Sequence, residues 1–188
     1  MEAGLEVYAR DGYANAKVKQ ICLQAGLTER YFYQSFDDKE DLLIALVDSI
    51  FDDALEATSP ALENLARPLD EVVREALGDF LESLIGDPRR ARVMLLESVG
   101  VSTRTELRRR AQFSRFRDLL RDVGVSVLGE RAPSFDDADM TARALVGVTV
   151  ELLVSFLLGE INVDRERLTD YLVQIYTTAA PIQSGGLA

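Results

Sequence analysis

The sequence predicts an all-α protein in which an N-terminal helix-turn-helix is followed by a larger helical bundle. Apolar residues recur at spacings of three and four along most of the 188 residues, which is the period of amphipathic helices. Glycine and proline interrupt this pattern, and no stretch shows the alternation typical of a β-strand. Residues 18–36 have the layout of two short helices joined by a glycine turn.

The first helix of this motif is predicted from an apolar stripe and a glycine stop. The stripe consists of Val18, Ile21, Cys22 and Ala25. Gly26 follows, and because glycine lacks a Cβ it can adopt the left-handed conformation that closes a helix. We therefore expect one face of this helix to pack against a neighbour.

The second helix combines a core-facing aromatic pair with outward polar side chains. We expect Thr28 to begin it, with its hydroxyl accepting a backbone N–H, and Phe32 and Phe36 to face the core. The opposite side can enter a major groove, because arginine bonds guanine, glutamine bonds adenine and tyrosine hydroxyls reach phosphates. The candidate DNA contacts on this helix are Thr28, Arg30, Tyr31, Tyr33 and Gln34.

The later helices are placed by capping residues, prolines and glycines. Residues 37–40 resemble a capping box ahead of a helix that runs from Leu42 to about Ala57. Pro68 opens a helix that ends before the break at residues 86–88. Further helices are predicted over residues 89–99, 103–123, 136–160 and 165–180, and residues 184–186 are expected to form a frayed tail.

The composition argues against an enzyme. There is no histidine, so the chain lacks the commonest acid-base catalyst and metal ligand, and its one cysteine cannot form an internal disulfide. Cys22 lies on an apolar stripe and is expected to be an inert core thiol. Paired carboxylates at residues 37–38, 52–53 and 136–137 fit helix ends. No catalytic residue, metal or cofactor is expected.

Charge and hydropathy limit the partners and the compartment. The net charge of −11 argues against indiscriminate nucleic-acid binding, but residues 1–36 balance four basic against four acidic groups. We therefore expect DNA binding that is weak on non-specific sequence and strongly salt-dependent. No signal peptide is evident, and the apolar run at residues 144–159 is too short to cross a bilayer, which predicts a cytoplasmic protein with a buried helix there.

The motif region resembles the N-terminal domain of the tetracycline-repressor (TetR) family of bacterial transcription regulators. The matching residues are Gly12, Tyr13, Ile21, Ala25, Gly26, Leu27, Thr28, Tyr33, Phe36, Lys39, Glu40, Leu42 and Leu43. The family usually has a hydroxyl pair where this chain has Ala16 and Lys17, so Lys17 supplies a charge instead. Lys17 and Lys39 complete the candidate DNA contacts. The family also has a fuller first helix, so native residues are expected to precede Met1.

The resemblance implies a palindromic operator, a homodimer and a small apolar or amphipathic effector. It divides the chain into a DNA-binding domain over residues 1–57 and a ligand-binding and dimerisation domain over residues 58–188. The candidate ligand-binding residues are Phe80, Leu84, Met94, Glu97, Phe113 and Phe116. Glu97 needs a partner among its apolar neighbours, which is Arg92, an arginine of residues 108–110, or a ligand for which Glu97 is the polar anchor. The candidate dimerisation residues are Leu145, Leu152, Phe156, Leu168, Leu172 and Ile175.

Each of these assignments has a plainer alternative. Aromatic and methionine residues at helical spacing also fill ordinary cores, and the last two helices can pack within their own protomer. At the level of function, the leading interpretation is a ligand-responsive repressor. The alternatives are a DNA-binding regulator without an effector, and a helical ligand-sequestering or protein-interaction module without operator binding.

Overall fold

The computed structural model describes residues 1–179, which fold into ten α-helices joined by turns. The helices are α1 (Glu2–Asp11), α2 (Val18–Ala25), α3 (Glu29–Tyr33), α4 (Lys39–Ala57), α5 (Ser59–Leu62), α6 (Leu69–Ile85), α7 (Pro88–Arg92), α8 (Thr103–Leu128), α9 (Phe135–Leu157) and α10 (Arg165–Ala179). A π-helical turn, Val93–Glu97, follows α7, and a short 3-10 turn follows α8. The predicted helix end at residue 180 and the tail at residues 184–186 lie outside the described part.

The chain forms two compact units, and each unit contains two separate stretches of the sequence. The first unit contains residues 1–53 and 83–112, and the second contains residues 54–82 together with the chain from residue 113 onward. The sequence predicts one boundary after residue 57. In the structure, the chain leaves the first unit at α4 and returns to it from the end of α6 to the first part of α8.

The core of the first unit lies between α1 and α4. Val7, Tyr8 and Leu43 are completely buried, and the Tyr8 hydroxyl donates a 2.5 Å hydrogen bond to the Lys39 carbonyl oxygen. At Gly4 the helices approach so closely that an added Cβ would lie 2.7 Å from a Leu42 methyl group. A larger residue at this crossing would therefore have to displace the buried Leu42 side chain.

Ion pairs attach the returning segment to α1. Asp87 caps α7 by accepting the Arg89 N–H at 3.0 Å, and Pro88 occupies the first turn. The Arg89 guanidinium also donates to the carboxylates of Glu2 and Glu6 at 2.8 Å each. These charge-assisted bonds explain why residues distant in sequence share one unit.

A second set of polar contacts attaches the start of α8 to α4. The Glu40 carboxylate accepts hydrogen bonds from the Ser102 hydroxyl, from Thr105 Oγ1 at 2.8 Å and from Arg104 Nε at 3.2 Å. Those bonds lower the pKa of Glu40, and the Ser102 bond is the largest cause. Further along the two helices, Arg108 of α8 forms an ion pair with Asp48 of α4.

The second unit is built from α6, the later part of α8, α9 and α10. Its most buried side chains include Val72, Leu153 and Leu172. The rings of Phe80 and Phe116 stack with their centroids 4.9 Å apart and their planes 14° from parallel. These contacts join α6 to α8.

Helix α9 is apolar but only partly buried within its own protomer. Its length and composition would allow it to cross a bilayer, a property shared by core helices of many soluble proteins, yet only 22% of its most apolar window is buried. The sequence predicts a buried helix here. That prediction is wrong for the single chain, because one face of α9 lacks a partner among residues 1–179.

Candidate nucleic-acid interface and ligand cavity

The turn between α2 and α3 forms as the sequence predicts. Gly26 is left-handed, with φ 67° and ψ 26°. Its N–H donates to the Leu23 carbonyl oxygen, and the Leu27 N–H donates to the Cys22 carbonyl oxygen at 2.9 Å. This is the glycine-closed helix end that fixes the direction of α3. Cys22 is buried, and burial raises the pKa of its thiol, which agrees with an inert core cysteine.

Gln20 stabilises the start of α2 in place of the missing hydroxyl. Its Oε1 accepts the Lys17 backbone N–H at 2.8 Å, which is one half of a capping box. Ala16 is buried, while the Lys17 side chain is exposed. The capping role therefore passes to an amide three residues later, and the Lys17 ammonium group is available on the surface.

Helix α3 buries one face against the protein and exposes the other to solvent. Phe32 is buried and its ring lies 5.5 Å from that of Phe36, as the sequence predicts. Tyr33 packs edge-on against Phe32, with 5.3 Å between ring centroids, and is still 55% exposed. Thr28 is the N-cap residue, but its hydroxyl makes no capping hydrogen bond, which differs from the prediction.

We define the reading face as the five exposed residues Thr28, Arg30, Tyr31, Tyr33 and Gln34. They present hydroxyl, guanidinium and amide groups from one short helix, the chemistry that reads base edges and phosphates. Leu27 is 53% exposed beside them and was not a candidate from the sequence. An exposed apolar side chain next to a recognition helix can contact a thymine methyl group.

Lys39 has a structural role and is not placed as a phosphate contact. Its ammonium group donates to the carbonyl oxygens of Tyr13, Ala14 and Ala16 at 2.9, 3.3 and 3.1 Å. It also lies 4.4 Å from the centre of the Tyr13 ring. Because an ammonium has three donors, these bonds use all of them, and the prediction of a DNA contact is corrected.

The Glu97 carboxylate also has its partners within the first unit. Its Oε2 accepts the Tyr13 backbone N–H at 2.9 Å, and its Oε1 lies 3.1 Å from the Arg92 guanidinium. The π-helical turn that ends at Glu97 replaces the regular helix predicted over residues 89–99. Glu97 therefore ties the start of the chain to this turn, and its assignment as the polar anchor of a ligand is corrected.

The described part of the second unit contains two apolar cavities with volumes of about 110 and 70 Å³. They share the lining residues Leu69, Val73, Leu120, Val123 and Tyr176. The smaller cavity is also lined by Phe80 and Phe116, two of the six candidate ligand residues.

The other four candidates do not line these two cavities. Leu84 and Met94 are buried in the first unit, where Glu97 also lies. Phe113 is half-buried on α8. Helical spacing cannot distinguish residues that fill the core from residues that line a cavity, because both kinds lie on the inward face of a helix.

The predicted dimerisation residues divide into three groups. Leu168 and Leu172 are 2% and 0% exposed, so they belong to the protomer's own core and are corrected as interface residues. Leu145 lines the larger cavity. The remaining three, Leu152, Phe156 and Ile175, are half-buried.

A different set of residues is exposed on the last two helices. On α9 the exposed residues after the first turn are Met140, Arg143, Ala144, Gly147 and Glu151, and Leu158 is exposed just after α9 ends. On α10 the exposed residues include Tyr171 and Gln174. We call the α9 set the open face of α9. Its spacing of three and four residues places it along one side of the helix.

Comparison with known proteins connects this geometry to a family. Residues 1–46 match the sequence profile described as bacterial regulatory proteins, tetR family. Over 178 residues the chain is 22% identical to the uncharacterised HTH-type transcriptional regulator YerO of Bacillus subtilis strain 168. That alignment covers 93% of this chain and 61% of YerO, so the chain spans less than two thirds of that protein's length.

Solved structures share the whole fold. FadR from Bacillus subtilis, in complex with stearoyl-CoA, aligns with a TM-score of 0.81 and 18% identity over 95% of this chain and 96% of its own. The fatty acid degradation regulator FadR from Bacillus halodurans gives 0.79 and 21% over 99% and 93%. The TetR family regulator PfmR from Thermus thermophilus gives 0.70 and 17% over 95% of each chain.

Proposed function

The chain belongs to the tetR family of bacterial regulatory proteins, and on that premise we propose that it is a ligand-responsive transcriptional repressor. Regulators of this family bind operator DNA, act as dimers and respond to small-molecule effectors. They are transcription factors and not enzymes. As with other soluble members of the family, we expect this protein to act in the cytoplasm.

The reading face is the observation that supports operator binding most directly. The Phe32 side chain of α3 is buried, while the side chains of Arg30 on α3 and of Gln34 at its C-cap are exposed and form no hydrogen bond among the contacts that the structure describes. Groups that the fold does not use are available to base edges. Lys17, exposed at the start of α2, adds a charge for a phosphate.

A homodimer supplies the second half of the operator contact. The open face of α9, which contains Met140 and the small residues Ala144 and Gly147 beside charged Glu151, is uncovered in the protomer, which fits a helix that packs against a second copy of itself. We propose that this face and the exposed side of α10 form the interface, with a buried area above about 2,000 Å² as in permanent dimers. Two-fold symmetry then places two reading faces about one DNA turn, ~34 Å, apart on a palindrome.

The cavities of the second unit are the proposed effector site. Their lining is almost entirely apolar, which favours a ligand with an apolar chain. FadR of Bacillus subtilis was solved with stearoyl-CoA, a molecule with such a chain. The volumes here are smaller than the roughly 300 Å³ of typical ligand sites, so a ligand must separate the lining helices in order to enter.

Helix α8 is the proposed route from the cavity to the DNA-binding unit. Its residues Phe116, Leu120 and Val123 line the smaller cavity, while Thr105, nearer the start of the helix, bonds Glu40 of α4. A ligand that moves the later part of α8 therefore acts on the helix that follows the reading face. Such a ligand shifts the conformational equilibrium because it binds the opened state more tightly.

Operator binding is the experiment that tests this function. The purified protein should protect a palindromic site in DNA adjacent to its own gene in a footprinting assay, and protection should weaken steeply as salt increases. Protection of the DNA site should also require the dimeric form of the protein. Failure to protect any such site at low salt, with the folded dimer confirmed, would favour the ligand-sequestering or protein-interaction module.

A further inference from the structure

A buried chain of hydroxyl groups meets the apolar cavities. Tyr176 lines both cavities, and its phenol oxygen lies 2.8 Å from Thr149 Oγ1. Thr149 is 1% exposed, and its hydroxyl in turn donates to the Leu145 carbonyl oxygen at 2.8 Å. Both partners of this hydroxyl pair belong to the second unit, on α9 and α10.

The direction of these hydrogen bonds determines what Tyr176 can offer to a ligand. The Leu145 carbonyl oxygen only accepts, so the single proton of Thr149 points to it. Either atom of the contact between Thr149 Oγ1 and the Tyr176 oxygen can donate, and with the Thr149 proton directed to Leu145 we infer that the Tyr176 hydroxyl is the donor. With its proton used in this way, the Tyr176 oxygen retains acceptor capacity and has no proton to donate. A ligand group beside it must therefore be a donor.

Among the described residues that line the larger cavity, the one cation is already neutralised. This cation is Arg121, whose guanidinium pairs with Asp118 at 2.8 Å and with Asp122 at 3.1 Å. These two carboxylates raise the pKa of Arg121 and hold it as a paired cation. A carboxylate or phosphate head would have to compete with both aspartates, so the site favours a neutral ligand.

We propose that the cavities bind a neutral amphiphile, with an apolar chain and a hydroxyl or amide head that donates a hydrogen bond to the Tyr176 oxygen. This inference rests on the proposed function, because it takes these cavities as the effector site. It adds the chemistry of the head group, and it distinguishes this site from one that selects an acid or an acyl-CoA. Tyr176 is then the residue that selects the head group.

The experiment compares three probes with equal numbers of non-hydrogen atoms: 1-decanol, its isomer 1-methoxynonane, and undecane. The alcohol has a donor, the ether has only an acceptor, and the alkane has neither. Calorimetric titration of the full chain should show 1-decanol binding on the order of fivefold more tightly than 1-methoxynonane, the worth of one hydrogen bond. Decanoate at neutral pH should bind more weakly than 1-decanol.

Two variants test the proton direction. Tyr176→Phe removes the oxygen and keeps the ring, so the affinity ratio of alcohol to ether should fall relative to the unaltered protein. Thr149→Val keeps the shape and releases the Tyr176 proton, which the ether oxygen can accept, so the ether should gain affinity relative to the alcohol. This change in the ratio matters because a variant that merely loosened the packing would weaken both probes together. Circular dichroism confirms the fold of each variant.

Each outcome separates the inference from the proposed function. An affinity ratio of alcohol to ether that is the same in the unaltered protein and in Tyr176→Phe overturns the head-group inference and leaves an apolar effector site in place. Tightest binding by decanoate overturns it in favour of an anionic effector. Absence of binding by every probe overturns both the head-group inference and the effector site, while operator binding, which is measured separately, decides the DNA-binding function.

Discussion

At the scale of single residues, the side chains of α3 divide between those that hold the fold and those that remain available. Phe32 is 7% exposed and packs against two aromatic neighbours, whereas Tyr31 on the same helix is 56% exposed. Removing an exposed polar group should therefore affect a partner more than the fold. Alanine at Phe32 would do the reverse.

We expect Arg30→Ala to weaken operator binding by about 1–3 kcal/mol and to relax preference for one base pair, because arginine contacts to guanine carry this much discrimination. Tyr33→Phe keeps the ring on Phe32 and removes only the hydroxyl, so it should weaken binding to all sequences more uniformly. Both variants should unfold at the temperature of the unaltered protein. Quantitative footprinting and calorimetry provide these measurements.

The matched control for these variants is Arg110→Ala. Arg110 is also exposed, with 75% of its side chain accessible, and it lies on α8 and not on the reading face. The substitution removes the same charge and should leave operator affinity unchanged. If Arg110→Ala and Arg30→Ala weaken binding equally, the contribution of Arg30 is non-specific charge and the reading face is wrongly assigned.

At the scale of elements, the angle between α2 and α3 depends on one left-handed residue. An alanine Cβ at Gly26 would meet nothing within 4 Å, so the cost of Gly26→Ala is conformational and not steric. We expect a loss of about 1 kcal/mol in the free energy of unfolding, and a smaller loss for Gly26→Asn, because asparagine tolerates this conformation.

A glycine inside a helix gives the control with the opposite sign. Gly78 lies within α6, and an added Cβ there would also meet nothing within 4 Å. Gly78→Ala should stabilise the protein by about 0.5–1 kcal/mol. Urea denaturation measures the change in the free energy of unfolding for Gly26→Ala and for Gly78→Ala. Stabilisation by Gly26→Ala would contradict the left-handed turn.

The contact between α4 and α8 should make stability depend on pH. The pKa of Glu40 is lowered in the folded state by the Ser102, Thr105 and Arg104 hydrogen bonds. Its stabilising contribution is therefore fully present above its ordinary value of 4.5 and is lost as the pH falls through the lower folded value. Glu40→Gln should lower the melting temperature at pH 7, and the difference from the unaltered protein should shrink in acid.

Another carboxylate on the same helix tests whether this effect belongs to Glu40. Glu56→Gln also removes an acidic charge from α4, where Glu56 is exposed. It should reproduce little of the pH-dependent difference. A melting-temperature difference for Glu40→Gln that stays constant from pH 7 into acid would contradict the role of the charged carboxylate.

At the scale of the whole molecule, the open face of α9 predicts the assembly. Gly147 is exposed on this face, and a Cβ added there would meet no atom within 4 Å in the protomer. Gly147→Arg should therefore leave each protomer folded while placing a buried charge in the dimer, which costs several kcal/mol. Light scattering should show monomers, and operator affinity should fall with dimerisation.

The control substitution places the same residue on another helix. Gly78→Arg adds an arginine to α6, where a Cβ also meets nothing nearby, and it should leave the dimer intact. A monodisperse monomer for the unaltered protein at micromolar concentration would remove the geometric argument for a palindromic operator. A dimer that survives Gly147→Arg would place the interface elsewhere.

Much of the fold and part of the candidate site could be predicted from local sequence. Gly26 and the Phe32–Phe36 pair placed the helix-turn-helix, Pro68 placed the start of α6, and residues 86–88 placed the break before α7. These features depend on backbone conformation and on a period of 3.6 residues, both of which operate over a few positions. The exposed side of α3 follows from the same period once Phe32 is placed inside.

Tertiary structure alone decided where charged and apolar side chains found their partners. From the sequence, Lys39 is predicted to contact DNA and Glu97 to contact a ligand. In the structure both side chains lie against the backbone of residues 13–16 and form hydrogen bonds with its polar groups. Leu168 and Leu172 have the spacing of an interface but fill the protomer's own core. Helical period specifies which side of a helix is apolar, whereas the partner of that side depends on contacts between residues far apart in the chain.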